Sequence, residues 1–320
     1  MDTDNPFEAE DVETLDGKTQ TEPGSVATDK PKKKVSYESN ADVQRWLVEQ
    51  AIEESGIKPE FNPTFLASLR DAPWIISSLA QFYEEDLITD VLRVVKSGKE
   101  ATVYCCVGGP RTDVDYLAAK VYRPRMFRSL RNDAIYRQSR TQYDRDGRIV
   151  RGNGRHRHSG KSSGRDRAAQ VSSWIEFEFQ TQNLLYDVGA NVPKPVAQIG
   201  NAVLMEYIGD DDEPARTLRE VILKREEAQS LFDRILYNVE LCLSYNRIHG
   251  DLSEYNILFW QGAVTVIDFA QAVDPRHNLG TFSLLVRDIE RVCRYFARYG
   301  VVADAQELAV DMWSRYQGVL

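Results

Sequence analysis

No run of eighteen apolar residues occurs anywhere in this 320-residue sequence, so no segment of it can cross a bilayer as a helix. It opens Met-Asp-Thr-Asp-Asn, acidic where a secretory leader is basic and then apolar, and a cytoplasmic location without a membrane partner is expected. Cysteine is scarce: Cys105, Cys106, Cys242 and Cys293 are the full set of four, and none stands in a C-x-x-C pair. That spacing argues against a zinc framework and leaves buried thiols as the expectation. Two of the four histidines, His156 and His158, lie inside an arginine run whose charge accounts for them without a metal. A Walker A loop is missing as well. Gly98-Lys99 is followed by Glu100 where Ser or Thr would ligate magnesium, and position 93 is Arg where the leading glycine would stand.

What is present is enough apolar material for a core, 42% hydrophobic and 10% aromatic residues, over a length that holds one large two-lobed domain or two ordinary ones. The net charge of −9 is spread unevenly. Residues 123–173 hold fourteen Lys or Arg against four Asp, so this segment carries +10 and the remainder −19. Residues 1–38 are rich in Asp, Glu, Thr and Pro, end in Lys30-Pro31-Lys32-Lys33-Lys34, and read as a disordered acidic tail that cannot bury enough surface to offset its ordering entropy. From Ala41 the spacing turns helical, with Val43, Trp46, Leu47, Ala51 and Ile52 on one face, then Phe65, Leu66, Leu69 and Trp74 to Leu79. Two or three short helices are expected within residues 41–88.

The chemistry concentrates in His249-Gly250-Asp251-Leu252-Ser253-Glu254-Tyr255-Asn256, followed twelve residues after Asn256 by Asp268 at the end of Val-Thr-Val-Ile-Asp. An acid and an amide five residues apart in a loop, with a second acid closing an apolar run, is the layout of a phosphoryl-transfer site. One acid orients the attacking hydroxyl or water, and the amide and the second acid offer the hard oxygens magnesium requires. The plain alternative is a charged turn between two strands.

Upstream, Asp90–Val95, Thr102–Val107 and Tyr116–Tyr122 read as three strands of an antiparallel meander, punctuated by Gly108-Gly109-Pro110. The third places a lone Lys120 among small and apolar residues, where a nucleotide-covering sheet has the lysine that meets the α- and β-phosphates. A lysine snorkelling from a half-exposed strand is the alternative. In the turn between the first two strands Gly98 lets backbone approach a phosphate, Ser97 offers a hydroxyl and Lys99 a charge. The basic segment 123–173 follows, dense in Gly, Ser, Arg and His from Arg148 to Arg167, and is expected to be a mobile loop whose arginines suit a phosphate backbone, RNA in particular. Trp174-Ile175-Glu176-Phe177-Glu178 opens an amphipathic helix, with Glu178 as the partner expected for Lys120 and Glu176 as the second choice. A strand from Ala202 to Gly209 then leads into an acidic turn, where a two-lobed kinase has its adenine-binding hinge.

Together, Ser97-Gly98-Lys99-Glu100-Ala101, Leu204-Met205-Glu206-Tyr207-Ile208-Gly209, His249 to Asn256 and Ile267-Asp268-Phe269-Ala270-Gln271 resemble, in order, the motifs of the RIO atypical kinases over roughly residues 75–300. The resemblance implies an α+β, two-lobed protein-kinase-like fold: an N-lobe over 89–208 with an antiparallel sheet and one main helix, and a truncated, mainly helical C-lobe over 209–320. It implies a phosphate loop containing Ser97, Lys99 and Glu100, nucleotide contacts from Val103, Lys120 and its partner Glu178, and an adenine pocket at Met205 with hinge contacts from Glu206 and Ile208. Asp251 becomes the catalytic acid or base. Asn256 and Asp268 become ligands of magnesium, or of manganese in its place, and Asp268 also the acceptor of a transient aspartyl-phosphate. The expected activity is that of a serine/threonine kinase or ATPase using ATP, acting in small ribosomal subunit maturation or another RNA–protein assembly.

Departures from ordinary protein kinases narrow the expectation. Ser253 stands two residues after Asp251 where those have a lysine, Ala270 replaces the glycine after Asp268-Phe269, three phosphate-loop glycines are not found, and 52 residues follow Asp268 without an Ala-Pro-Glu signature. A small-molecule phosphotransferase of the aminoglycoside-kinase kind shares His-Gly-Asp, and an ATP-locked RNA-binding scaffold is a third class. The protein substrate is not specified. Leu284–Ala297 and Ala303–Tyr316 are expected as helices, with Phe282, Leu284, Leu285, Ile289, Val292 and Phe296 in the core.

Overall fold

Alternation of small, β-branched and aromatic residues builds the first sheet. In the computed structural model, which describes residues 58, 60–65, 72–123, 142–143, 149–150, 164–277 and 279–317, strands β1 (Ile88–Ser97), β2 (Ala101–Gly108) and β3 (Tyr116–Tyr122) form the expected meander. Two further strands, β6 (Pro195–Ile199) and β7 (Ala202–Glu206), complete an antiparallel sheet of order β1-β2-β3-β7-β6. The strand period of two gives its faces different tasks. Tyr104 and Cys106 of β2 enter a core beneath helix α1 (Ala72–Glu84), with Ile75, Leu79 and Phe82. Cys105 and the half-buried Val103 look the other way, toward Ala118 and Tyr207.

A two-residue ladder, β4 (Gln142–Tyr143) with β5 (Ile149–Val150), falls within the basic segment. The rest of residues 124–163, the acidic tail 1–38 and the Ala41–Ile52 helical pattern lie outside the described residues. Helix α2 (Gly164–Asp187) begins ten residues before Trp174, where the sequence placed its start. Arg165 to Gln170 contain no residue that breaks a helix and two alanines that favour one, so a turn rich in arginine reads as a loop yet winds as helix. Strand β6 was missed because Pro193 and Pro195 read as punctuation. It sits at the sheet edge, and Pro195 is its first residue, a place where a missing N–H is tolerated.

The second lobe is built on helices α3 (Arg225–Ser244), α4 (Phe282–Ala297) and α5 (Ala305–Tyr316), with a small sheet of β8 (Arg216–Thr217), β9 (Ile257–Trp260) and β10 (Ala263–Val266). Helix α3 was not anticipated, although its first turn carries Glu226 and Glu227 and the Lys224 N–H donates to Glu227 Oε1 at 2.9 Å. Phe232 meets Phe296 edge-on at 5.6 Å, and Phe282 meets Trp313 at 5.2 Å, tying the three helices together. Leu284, Leu285, Ile289, Val292 and Phe296 are buried as expected, and Phe282 packs half-buried against that core. Cys105, Cys106 and Cys242 are buried thiols and Cys293 is half-buried. Among the described residues no helix is long and apolar enough to cross a membrane.

Candidate active site

Between the lobes, β3 supplies two side chains to one face, Lys120 and Tyr122. Lys120 Nζ lies 2.7 Å from Glu178 Oε1 on α2 and 2.7 Å from Asp268 Oδ1 in the second lobe. The Tyr122 hydroxyl donates to the other Glu178 oxygen, Oε2, and the Tyr122 ring packs edge-on against Trp174 at 5.2 Å. Glu178 is 3% exposed, whereas Glu176 points to solvent and receives Gln180, so the pairing falls on the first of the two expected acids. Burial works against the Lys120 charge, but Asp268 and Glu178 outweigh it and hold the ammonium well above its ordinary pKa. Asp268 is the reverse case. Burial pushes its carboxyl up, and the Lys120 charge and hydrogen bond more than offset this, leaving it below the usual carboxylate range.

The backbone explains why Asp268 reaches Lys120. The β9–β10 hairpin pairs Ile257 with Val266, and the Ile267 N–H donates to the Asn256 carbonyl at 3.0 Å, so Asn256 and Asp268 leave the hairpin side by side. Asp268 then adopts the left-handed region (φ 71°, ψ 70°), which costs energy in a residue with a Cβ. It starts a short 3₁₀ turn over Phe269–Gln271 without spending its carboxylate on a cap, and that carboxylate turns to Lys120 instead.

The loop from His249 to Asn256 is held on every side. Ile248 exchanges backbone hydrogen bonds with Val273 at 3.0 and 2.9 Å. His249, buried, has Nε2 3.1 Å from the Ile267 carbonyl, while Nδ1 accepts the Asp251 N–H at 3.3 Å; the two partners assign the Nε2–H tautomer. Burial lowers its pKa, which agrees with a neutral ring. Gly250 has φ +78° and donates its N–H to Asp288 Oδ2 at 2.7 Å, and Leu252 N–H donates to Asp288 Oδ1 at 3.2 Å. The Arg287 guanidinium donates to the Gly250 carbonyl. Asp251 presents a half-exposed carboxylate whose Oδ1 meets Arg291 Nη1 at 2.8 Å. Asn256 donates from Nδ2 to the Asp251 carbonyl at 2.9 Å, which leaves its amide oxygen as an acceptor.

At the sheet tip the Gly98 N–H closes a tight turn on the Ala101 carbonyl at 2.9 Å, and a Cβ at Gly98 would stand 3.2 Å from that oxygen. Ser97 Oγ accepts from Arg123 Nη2 at 2.7 Å, and the same guanidinium reaches Thr102 Oγ1. Lys99 and Glu100 are exposed in the turn. Val103 pairs across β2 and β3 with Lys120. Met205 is half-buried beside Cys105 and Tyr207, Glu206 is exposed with its carboxylate on the Lys194 N–H at 2.9 Å, and the Ile208 carbonyl accepts Ala215 at 2.8 Å. Sequence reasoning missed Tyr122, Arg123, Arg287, Asp288 and Arg291. Tyr122 carried a usable signal, two residues from Lys120 on the same strand face; an arginine–aspartate pair within a C-terminal helix carried none.

A five-stranded antiparallel sheet above a mainly helical lobe, with lysine, glutamate and aspartate meeting between the two, defines a protein-kinase-like α+β fold. The RIO domain family matches residues 116–308, and this chain belongs to that family. It is 33% identical over 215 residues to the RIO-type serine/threonine-protein kinase Rio1 of Haloferax volcanii, covering 67% of this chain and 66% of that one. It is 32% identical over 209 residues to the serine/threonine-protein kinase RIO1 of Caenorhabditis elegans, covering 65% of this chain and 37% of the relative. The matched region thus spans less than two thirds of either relative. Among solved structures, the Rio2 kinase of Chaetomium thermophilum in an ADP/Mg2+-phosphoaspartate complex shares the fold, with a TM-score of 0.51 at 17% identity over 84% of this chain and 76% of that one.

Proposed function

We propose that this chain is a RIO-type ATP-dependent phosphotransferase that moves the γ-phosphate of ATP to a serine hydroxyl or to its own Asp268. The observation that carries this reading is the bridging of Glu178 and Asp268 by Lys120 at 2.7 Å each, beside a loop that offers Asp251 and Asn256. Lys120 holds the phosphates, and Glu178 and Tyr122 keep its ammonium in place. Ser97 and Lys99 close over the phosphates with Glu100 in the same turn, while Val103 and Met205 face the adenine and backbone at Glu206 and Ile208 recognises its edge. Asp251 accepts the hydrogen of the attacking hydroxyl or water.

The donor set fits a magnesium ion, or manganese in its place. Asp268 has one oxygen on Lys120 and a second available, Asn256 offers an amide oxygen from beside it, and among the described residues no cluster of three or more acidic, His or Cys side chains could cage a metal alone. Magnesium suits such a site, since it takes one or two side-chain oxygens and completes its shell with phosphates and water. Bound there, it would neutralise phosphate charge during transfer.

Acyl-phosphate formation on Asp268 is supported by the phosphoaspartate named for the Chaetomium Rio2 complex. A place in small ribosomal subunit maturation, or in another RNA–protein assembly, is supported by the +10 charge of residues 123–173. The deciding experiment is single turnover with γ-labelled ATP and magnesium in wild type and Asp268→Asn. A protein label that is alkali-labile and vanishes in the variant supports the aspartyl-phosphate. Acid-stable label on serine supports the kinase branch, and tight ATP binding with no transfer overturns the enzymatic reading.

A further inference from the structure

One stretch of α4 governs the loop that carries Asp251. Asp288 takes the Gly250 and Leu252 N–H groups, and Arg287 takes the Gly250 carbonyl. These contacts fix the backbone. Arg291, one helical turn beyond Arg287, does something different: its Nη1 lies 2.8 Å from Oδ1 of the acid itself. The Arg291 side chain is 33% exposed and that of Asp251 50%, so the pair stands at the open edge of the loop. Exposed ion pairs contribute little to folding stability. Stability is therefore a weak reason for an arginine to be held there.

The loop sequence supplies a better one. From His249 to Asn256 it contains no lysine or arginine, and Ser253 occupies the position two residues after Asp251 where ordinary protein kinases carry a lysine. The positive charge at Asp251 comes from α4. An aspartate carboxylate also turns easily about its terminal torsion, because that well is broad and nearly two-fold. A guanidinium on Oδ1 stops the turning and leaves Oδ2 as the oxygen that can receive a proton.

We propose that Arg291 is a positioning residue for phosphoryl transfer: it holds one oxygen of Asp251, directs the other toward the attacking hydroxyl, and brings from α4 the cation the loop lacks. The proposal rests on the reading of Asp251 given above. In the step it serves, transfer to a hydroxyl or to water, the acceptor oxygen bonds to the γ-phosphorus and the bond from phosphorus to the β–γ bridging oxygen breaks. ADP leaves with that electron pair, and the acceptor's proton passes to Asp251 Oδ2. Misorienting a group by about an ångström at such a step costs on the order of 100-fold in rate.

The test compares ATP turnover by the full chain in Arg291→Ala, Arg291→Lys, Asp251→Asn and the double variant Asp251→Asn/Arg291→Ala, with thermal melting of each. Arg291→Ala should lower kcat by about 10- to 100-fold with KM for ATP within about two-fold. Arg291→Lys should fall between, and millimolar guanidinium should restore part of the Arg291→Ala rate. The double variant should turn over no more slowly than Asp251→Asn alone, since Arg291 acts through that carboxylate. Wild-type kcat in Arg291→Ala, or losses that multiply in the double variant, would overturn the proposal while leaving Asp251 in its role. Wild-type turnover in Asp251→Asn would overturn both, and that outcome is read without any Arg291 variant.

Discussion

Tyr122 donates its hydroxyl to the Glu178 oxygen that Lys120 leaves free. A single strand therefore secures both ends of one buried carboxylate and ties the helix bearing it to the sheet. The aromatic edge of Tyr122 against Trp174 adds a second, apolar fastening of the same strand to the same helix.

Tyr122→Phe keeps the ring and removes the donor. Hydrogen bonds to buried charged groups are worth about 1.5–3 kcal/mol, so urea denaturation should register a loss of that order. With Glu178 freed on one side, KM for ATP should rise several-fold. A variant of wild-type stability and KM would show that the hydroxyl is dispensable.

Glu178→Gln and Glu176→Gln separate the two candidate partners of Lys120. The first replaces a buried carboxylate 2.7 Å from the ammonium and should reduce kcat/KM for ATP at least ten-fold. The second changes an exposed side chain and should stay within about two-fold of wild type. Steady-state ATP turnover in both variants reads the difference directly.

Asp251→Ala should abolish turnover while ATP affinity, measured by calorimetry, stays within a few-fold of wild type. Asn256→Ala should instead raise the magnesium concentration needed for half-maximal turnover. A magnesium titration unchanged in Asn256→Ala would remove that amide from the proposed ligand set.

Burial pushes the Asp288 carboxyl up to about 7, with the Gly250 and Leu252 N–H groups and Arg287 opposing the rise. Its pKa is thus higher folded than unfolded, and the folded protein binds the extra proton. The corresponding stability is complete below the ordinary carboxylate range and is lost as pH rises through about 7. Across that window the loss is on the order of a few kcal/mol. Melting temperatures followed from pH 5 to 8 should decline in wild type and decline less in Asp288→Asn, which cannot titrate. Parallel slopes would assign the pH dependence to other groups.

The meander and the Asn256–Asp268 adjacency could be read from the sequence because each rests on local pattern, strand alternation and a hairpin between two polar positions; the Lys120–Glu178 pair, 58 positions apart, was legible only through the kinase arrangement that the loop His249 to Asn256 suggests. Helix α3 was missed although Ala228, Leu231, Phe232, Ile235, Val239 and Leu243 recur at helical spacing on its buried face; Asn238, between Ile235 and Val239, is the one polar residue that breaks this stripe. Arg291 and Asp288 escaped for a different reason. They meet residues 40 and 36 positions away, and nothing local distinguishes them from other charged residues on an amphipathic helix.

The grip of α4 on the Gly250 and Leu252 N–H groups has a consequence for how the protein loses activity on warming. Both amides end on one carboxylate that is 1% exposed, on a helix whose buried face, with Leu284, Leu285, Ile289, Val292 and Phe296, lies in the core with Phe232 and Trp313. Their protons can exchange with solvent only when that helix lets go. The loop therefore has no thermal transition of its own: its amides should share the slow deuterium clock of α4, and heat should switch the site off in the same step that melts the lobe.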